Sequence, residues 1–239
     1  MPWPYPRIVA HRGGGSLAPE NTLGAIRLGA SLGFRGVEFD VMLAGDGTPV
    51  LIHDETTDRT TGVKGRVALM NYSELEKLDA GNGEVIPRFQ KAAALCRGLG
   101  LWANVEIKPA AGRDRATGEA VASSARELWR DAELPPVLSS FSIAALEAAQ
   151  QAAPDLPRGY LVDKVPEDWE GTVQRLGCVA VHCNHRKLTE EKAKAIRSAG
   201  YALLCWTVND PVAGRRLLEW GVDCLVTDAL RAIGPGFAK

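Results

Sequence analysis

In the stretch Gly36-Val37-Glu38-Phe39-Asp40-Val41-Met42 the alternation of a strand puts Glu38 and Asp40 on one face and Val37, Phe39 and Val41 on the other. Two carboxylates that close together require a cation between them, or one of them takes up a proton. A third acid, Glu106, stands in Asn104-x-Glu106-x-Lys108, whose three polar residues also share a strand face. A donor set made only of carboxylate oxygens suits Mg²⁺, Ca²⁺ or Mn²⁺, whereas zinc calls for His or Cys. Arg12 and Lys108 beside such an ion make a local cationic pocket for a phosphate oxyanion. His11 and His53, each at the end of a strand-like run, complete an acid/base pair that titrates near neutral pH.

Further residues have two readings each. Trp206 is either a plug for the top of a barrel or an apolar wall for a substrate carbon chain. His182 is a buried structural histidine or one more site residue, and His185, just before Arg186-Lys187, is expected in solvent.

Elements that could position these groups follow from periodicity. A strand from Arg7 to Ala10 ends at His11. A loop with Gly13-Gly14-Gly15 and Pro19 follows, and then a helix capped by Asn21 and running to Ser31. After the Glu38/Asp40 strand, Gly45-Asp46-Gly47 turns the chain into the hairpin arm Pro49 to Ile52, which delivers His53 and Asp54. Residues 55–86 read as an insertion over a site, with one short helix opened by the capping box Ser73-x-x-Glu76.

Beyond Pro87 the period switches regularly. Helices are predicted at 88–98, 115–130, 142–152, 166–176, 189–199 and 210–220, and strands at 101–107, 136–140, 158–162, 178–183, 201–206 and 222–227. About eight strand-helix units at this length predict an α/β fold, a (β/α)8 TIM barrel with a small insertion after strand 2. Active sites of such barrels lie at the C-terminal strand ends, where the polar residues above fall. Neither G-x-G-x-x-G nor G-x-x-x-x-G-K-[ST] occurs, so no nucleotide cradle competes.

With 239 residues, 46% hydrophobic and 24% charged, the chain is expected to form one domain over 1–239. A net charge of -1 provides no bulk field for nucleic acid or an anionic membrane, so any anion must be held locally. The start Met1-Pro2-Trp3-Pro4-Tyr5-Pro6 is too short and proline-rich for a signal peptide, and no apolar run reaches membrane-spanning length. Five cysteines without a C-x-x-C pair are expected as buried, reduced thiols, and the whole predicts a cytoplasmic protein.

His11-Arg12-Gly13, Pro19-Glu20-Asn21-Thr22, Glu38-Phe39-Asp40, His53-Asp54 and Val105-Glu106-Ile107-Lys108-Pro109 together resemble the glycerophosphodiester phosphodiesterase family. Ser139-Ser140-Phe141-Ser142, Trp206-Thr207-Val208-Asn209 and Thr227-Asp228 follow in the same order, so the resemblance spans nearly the whole chain. One departure is Ala229-Leu230, where similar proteins often have a proline soon after the Asp. The resemblance implies a TIM barrel using a divalent metal, Mg²⁺ or Ca²⁺ with Mn²⁺ as an alternative, to hydrolyse small-molecule glycerophosphodiesters such as glycerophosphocholine or glycerophosphoethanolamine. Glycerol 3-phosphate and an alcohol are the implied products. Carried over, His11 and His53 become the acid/base pair, Glu38, Asp40 and Glu106 the metal ligands, and Arg12 and Lys108 the phosphate contacts. A phospholipase-like barrel is the neighbouring alternative, but residues 55–86 lack the clustered Trp, Phe or Leu of a membrane-facing loop.

Overall fold

Val37, Phe39 and Val41 decide how strand β2 (Gly36–Leu43) is turned. In the computed structural model, which describes residues 3–238, all three are fully buried between sheet and helices. Of the proline-rich start, Met1 and Pro2 lie outside the described residues. A one-residue slip would turn this apolar set into the barrel and forfeit about 1.5–3 kcal/mol for each buried side chain. The same slip would drive Glu38 and Asp40 into the helix layer, so the packing that orients β2 also aims its carboxylates inward.

Strands β1 (Ile8–Ala10), β2, β4 (Trp102–Ile107), β5 (Val137–Ser140), β6 (Arg158–Val162), β7 (Ala180–Asn184), β8 (Ala202–Trp206) and β9 (Cys224–Thr227) run parallel. β1 pairs with both β9 and β2, which closes the sheet into the expected (β/α)8 barrel. β3 (Pro49–Leu51) lies antiparallel on β2 and ends two residues before His53. Outside pack α1 (Leu23–Ser31), α4 (Phe89–Gly98), α5 (Asp114–Leu128), α6 (Ile143–Ala152), α7 (Trp169–Arg175), α8 (Glu190–Ser198) and α9 (Pro211–Glu219). Predicted barrel elements are present with their ends displaced by up to three residues. Inside the barrel Val9, Trp102, Val137, Leu204, Cys224 and Val226 form a separate core. Tyr5 stacks on Trp102 at 4.7 Å, so aromatic rings fill the N-terminal end.

Residues 55–86 carry two short helices where one was expected, α2 (Asp58–Thr61) and α3 (Tyr72–Leu75). Their segment has its own core, in which Val67, Tyr72, Leu75 and Ile86 pack on Met42, Val50 and Ile52 of the hairpin. The predicted capping box is two residues too late. Asn71 is the cap of α3, and Glu74 accepts its backbone N–H at 2.8 Å. The cap of α1 is likewise Thr22, whose Oγ1 accepts the Ala25 N–H at 3.1 Å, not Asn21. Asn21 has left-handed backbone, φ 58°, and its side chain is committed elsewhere. All five cysteines are buried and unbridged, and burial pushes the Cys96 and Cys178 thiols up to about 12. Among the described residues no helix is long and apolar enough to cross a membrane.

Candidate active site

Parallel pairing of β2 with β4 sets Asp40 directly opposite Glu106, and Glu38 opposite Asn104. Glu38, Asp40 and Glu106 each offer a carboxylate oxygen, and these atoms lie within 4.8 Å of one another. Burial, then the charge of Asp40, raises the pKa of both Glu38 and Glu106 well above the ordinary carboxylate range. Lys108 Nζ stands 3.3 Å from Glu106 Oε1 and 3.8 Å from Asp40 Oδ1, and Arg12 Nε is 3.4 Å from Asp40 Oδ2. Neither contact is aligned as a hydrogen bond on Glu106 Oε1 or Arg12 Nε, which leaves both buried atoms without such a partner. Asn21 clamps Asp40 by donating from Nδ2 to Oδ2 at 2.9 Å and accepting the Asp40 N–H at Oδ1 at 3.1 Å. An all-oxygen, mutually repelling cluster with an orphaned carboxylate oxygen fits a hard divalent cation.

His11 and His53 are each gripped by a carboxylate at Nδ1. His11 Nδ1 lies 2.6 Å from Asp228 Oδ1, and its Nε2 faces Glu38 Oε2 at 3.8 Å. Burial works to lower its pKa, but the Asp228 bond and the Glu38 charge outweigh it, and the net direction is upward. His53 Nδ1 lies 2.6 Å from Asp54 Oδ1, and its Nε2 is 2.7 Å from Lys108 Nζ. Burial is the largest influence on His53 and its pKa falls, despite the charge of Asp40 and the Asp54 bond. An ammonium has no lone pair, so Nε2 of His53 accepts from Lys108 and Nδ1–H donates to Asp54.

The loop after β1 makes this arrangement possible through strained backbone. Arg12 has φ 49°, unusual for a non-glycine residue, and its N–H donates to Glu38 Oε2 at 3.0 Å. At Gly15, φ 54°, a Cβ would stand 2.4 Å from the Asp228 carbonyl oxygen, so a side chain there would push Asp228 off His11. Without the proline expected after it, the Asp228 turn is held by side chains. Asn209 Oδ1 accepts the Asp228 N–H at 2.8 Å and Thr227 Oγ1 accepts the Ala229 N–H at 3.0 Å.

A cavity of about 110 Å³ opens at the C-terminal strand ends. Its lining has a polar group, His11, Arg12, Glu38, His53, Asn104, Glu106, Lys108, His182 and Thr207, and an apolar group, Phe141, Leu161, Leu204, Trp206 and Val226. Asp40 lies behind the first group, 1% exposed. Trp206 packs edge-on against Phe141 at 5.6 Å and forms part of the cavity wall.

Residues 11–232 match the family model described as the glycerophosphoryl diester phosphodiesterase family. The chain belongs to that family. As such it is an enzyme, a phosphoric diester hydrolase. It is 32% identical over 229 residues to a glycerophosphodiester phosphodiesterase of Caldanaerobacter subterraneus subsp. tengcongensis, covering 92% of this chain and 93% of the relative. A phosphodiesterase of Oleispira antarctica, solved with its product sn-glycerol-3-phosphate, superposes with a TM-score of 0.90 at 33% identity, over 96% of this chain and 97% of that one. The glycerophosphodiester phosphodiesterase of Thermotoga maritima gives a TM-score of 0.78 at 25% identity, over 95% and 96%.

Several groups that shape the site of this family member have contacts that its sequence does not reveal. Asp54 and Asp228 belong to the motifs His53-Asp54 and Thr227-Asp228 at strand ends, but the sequence does not tell that each holds an imidazole. Glu20 stands in the motif Pro19-Glu20-Asn21-Thr22, but Arg59 gave no signal, and the contacts between them join segments 39 residues apart. Asn184 is bound to Asp163 at 2.9 Å, and His185 is half-buried, not in open solvent.

His182 is fully buried, and neither ring nitrogen has a hydrogen-bond partner. Its ring fills the space over Gly159, where a Cβ would meet Nε2 at 2.4 Å. Burial takes its pKa down to about 3. The folded chain therefore refuses a proton that the unfolded chain accepts below about 6.5, so this histidine lowers stability as pH falls from there toward 3. The slope is about 1.4 kcal/mol per pH unit. Urea unfolding at about pH 7.5 and about pH 5.5 should show the parent losing about 1.4 kcal/mol more than His182→Leu. Equal losses would mean that His182 is protonated within the fold.

Proposed function

We propose that this enzyme hydrolyses soluble glycerophosphodiesters, such as glycerophosphocholine or glycerophosphoethanolamine, to sn-glycerol 3-phosphate and an alcohol, with a divalent metal bound at Glu38, Asp40 and Glu106. The observation that carries the reading is the pair of carboxylate-held imidazoles, His11 on Asp228 and His53 on Asp54, lining one cavity with Glu38 and Glu106 of the three-carboxylate cluster. Mg²⁺ or Ca²⁺ suits that donor set, with Mn²⁺ as an alternative, and when bound such an ion would polarise a phosphoryl oxygen and lower the pKa of a bound hydroxyl.

The chain's own groups divide the remaining work. Lys108 and Arg12 supply positive charge for the phosphate oxygens at the edge of the acidic cluster. When a phosphate draws Lys108 away, the Nε2 lone pair of His53 is released to accept a proton from the attacking hydroxyl. His11, held between Asp228 and Glu38, favours the protonated form and donates to the leaving alkoxide. Trp206, with Phe141, gives the glycerol carbons an apolar wall. The barrel and the segment over residues 55–86 act together as one domain, and the buried, unbridged cysteines support a cytoplasmic setting.

The nucleophile we favour is the substrate's own glycerol 2-hydroxyl, because tethering to the phosphate can be worth about 7 kcal/mol or more when well oriented. A cyclic glycerol phosphate would then be opened by water, with His11 and His53 exchanging roles. Release of the alcohol, with sn-glycerol 3-phosphate as the second product of the parent diesters, is to be assayed over a panel that includes one diester with hydrogen in place of the 2-hydroxyl. That analogue should turn over at least about a hundredfold more slowly than its parent. Hydrolysis at the parent rate would assign the attack to water, and no hydrolysis of any glycerophosphodiester would sink the substrate class.

A further inference from the structure

One closed circuit of charge runs through the site and leaves it. From Asp40 it passes to Arg12, whose Nη1 donates to Glu20 Oε1 at 2.7 Å. Glu20 is held bidentately by Arg59, Nη1 to Oε2 at 2.8 Å and Nη2 to Oε1 at 2.7 Å. The third nitrogen of the same guanidinium, Nε, donates to Asp54 Oδ2 at 2.6 Å. Asp54 holds His53, His53 accepts from Lys108, and Lys108 returns to Asp40. Arg59 lies in α2, in the segment over residues 55–86, and it joins two carboxylates that belong to different loops of the barrel.

We propose that Arg59 is a positioning residue for two groups at once: through Asp54 it orients the His53 imidazole, and through Glu20 it orients the Arg12 guanidinium. The proposal rests on the roles given above to His53 and Arg12. A planar, three-nitrogen fork is the only side chain that can bridge two carboxylates in this way, since a lysine ammonium is a point charge. With its side chain 48% exposed, Arg59 adds little to stability through these pairs, because solvent screens them. Orientation is what remains. Asp54 without Arg59 has one fewer bond fixing its carboxylate plane, and the imidazole bonded to its other oxygen follows that plane. Glu20 without Arg59 is tied only to Arg12, and the two would swing together toward solvent. Through Arg59 the segment over residues 55–86 thus acts on the reacting groups, with no need to touch the substrate.

The test compares the parent with Arg59→Ala, Arg59→Lys and Glu20→Gln in kcat, KM, melting temperature and the Ki of inorganic phosphate as a competitive inhibitor. Arg59→Ala should lose about 10²-fold in kcat, the scale of a positioned acid/base group, and its phosphate Ki should rise about tenfold. Its melting temperature should stay close to the parent's. Glu20→Gln should reproduce chiefly the rise in Ki. Added guanidinium at tens of millimolar should restore part of the kcat of Arg59→Ala, whereas ammonium should not. Values of kcat and Ki within about twofold of the parent overturn the proposal, as does a loss that guanidinium leaves untouched. If Arg59→Ala does not fold, Arg59→Lys is read by the same criteria, since it keeps the charge and loses the bridge. A parent that turns over no glycerophosphodiester would refute the proposed substrate instead, and phosphate affinity measured by calorimetry would still decide the Arg12 half.

Discussion

His53→Ala and His11→Ala should each lose at least about 10²-fold in kcat, and the double variant should lose far less than the product of the two. Each imidazole is fixed at Nδ1 by a carboxylate 2.6 Å away, so each offers a single nitrogen to the cavity in a set direction. If one takes the proton of the nucleophile while the other delivers a proton to the leaving alkoxide, removing either leaves the other with no complementary step to serve. Residues working as one unit are non-additive for that reason. KM should change less than kcat, because in the proposed assignment most of the charge complementary to the phosphate falls to Arg12 and Lys108. Steady-state kinetics of the three variants at saturating metal provide the check. Either single variant retaining near-parental kcat would remove that histidine from the pair.

Chelation should abolish turnover and lower the melting temperature, and the two effects should share one metal concentration dependence. Glu38, Asp40 and Glu106 lie within 4.8 Å of one another, and burial and mutual repulsion already raise two of them. An ion bound to the folded state alone stabilises it by about 2.7 kcal/mol at a concentration one hundred times its Kd. For a chain of 239 residues that corresponds to roughly 5–10 °C in Tm. Glu38→Gln removes one repelling charge, so its metal-free form should melt above the metal-free parent, while its gain on adding metal should shrink. Differential scanning calorimetry with and without chelator, followed by titration of Mg²⁺ or Ca²⁺, measures both. Full activity after exhaustive chelation would exclude the ion from the reaction, and identical melting with and without it would show that the cluster holds none.

The parts of the site legible in the sequence are those set by local geometry. Alternation along β2 is enough to put Glu38 and Asp40 on one face, and alternation along β4 and one residue past its end does the same for Asn104, Glu106 and Lys108, because side-chain direction in extended chain depends only on parity. The repeating switch of period is enough for the barrel, and the barrel tells which strand ends carry the chemistry. What the tertiary structure decided are the partners, since these depend on closure and register. Asp228 reaches His11 across 217 residues only because β9 pairs with β1. Asn21 reads locally as a helix cap, yet β2 brings Asp40 within reach of its amide, and that bond replaces the capping role. Arg59 reads as one more charge in a polar insertion until α2 settles on the loop that carries Glu20. A side chain's direction is encoded within a few residues of it, but what it meets there is encoded by the whole fold.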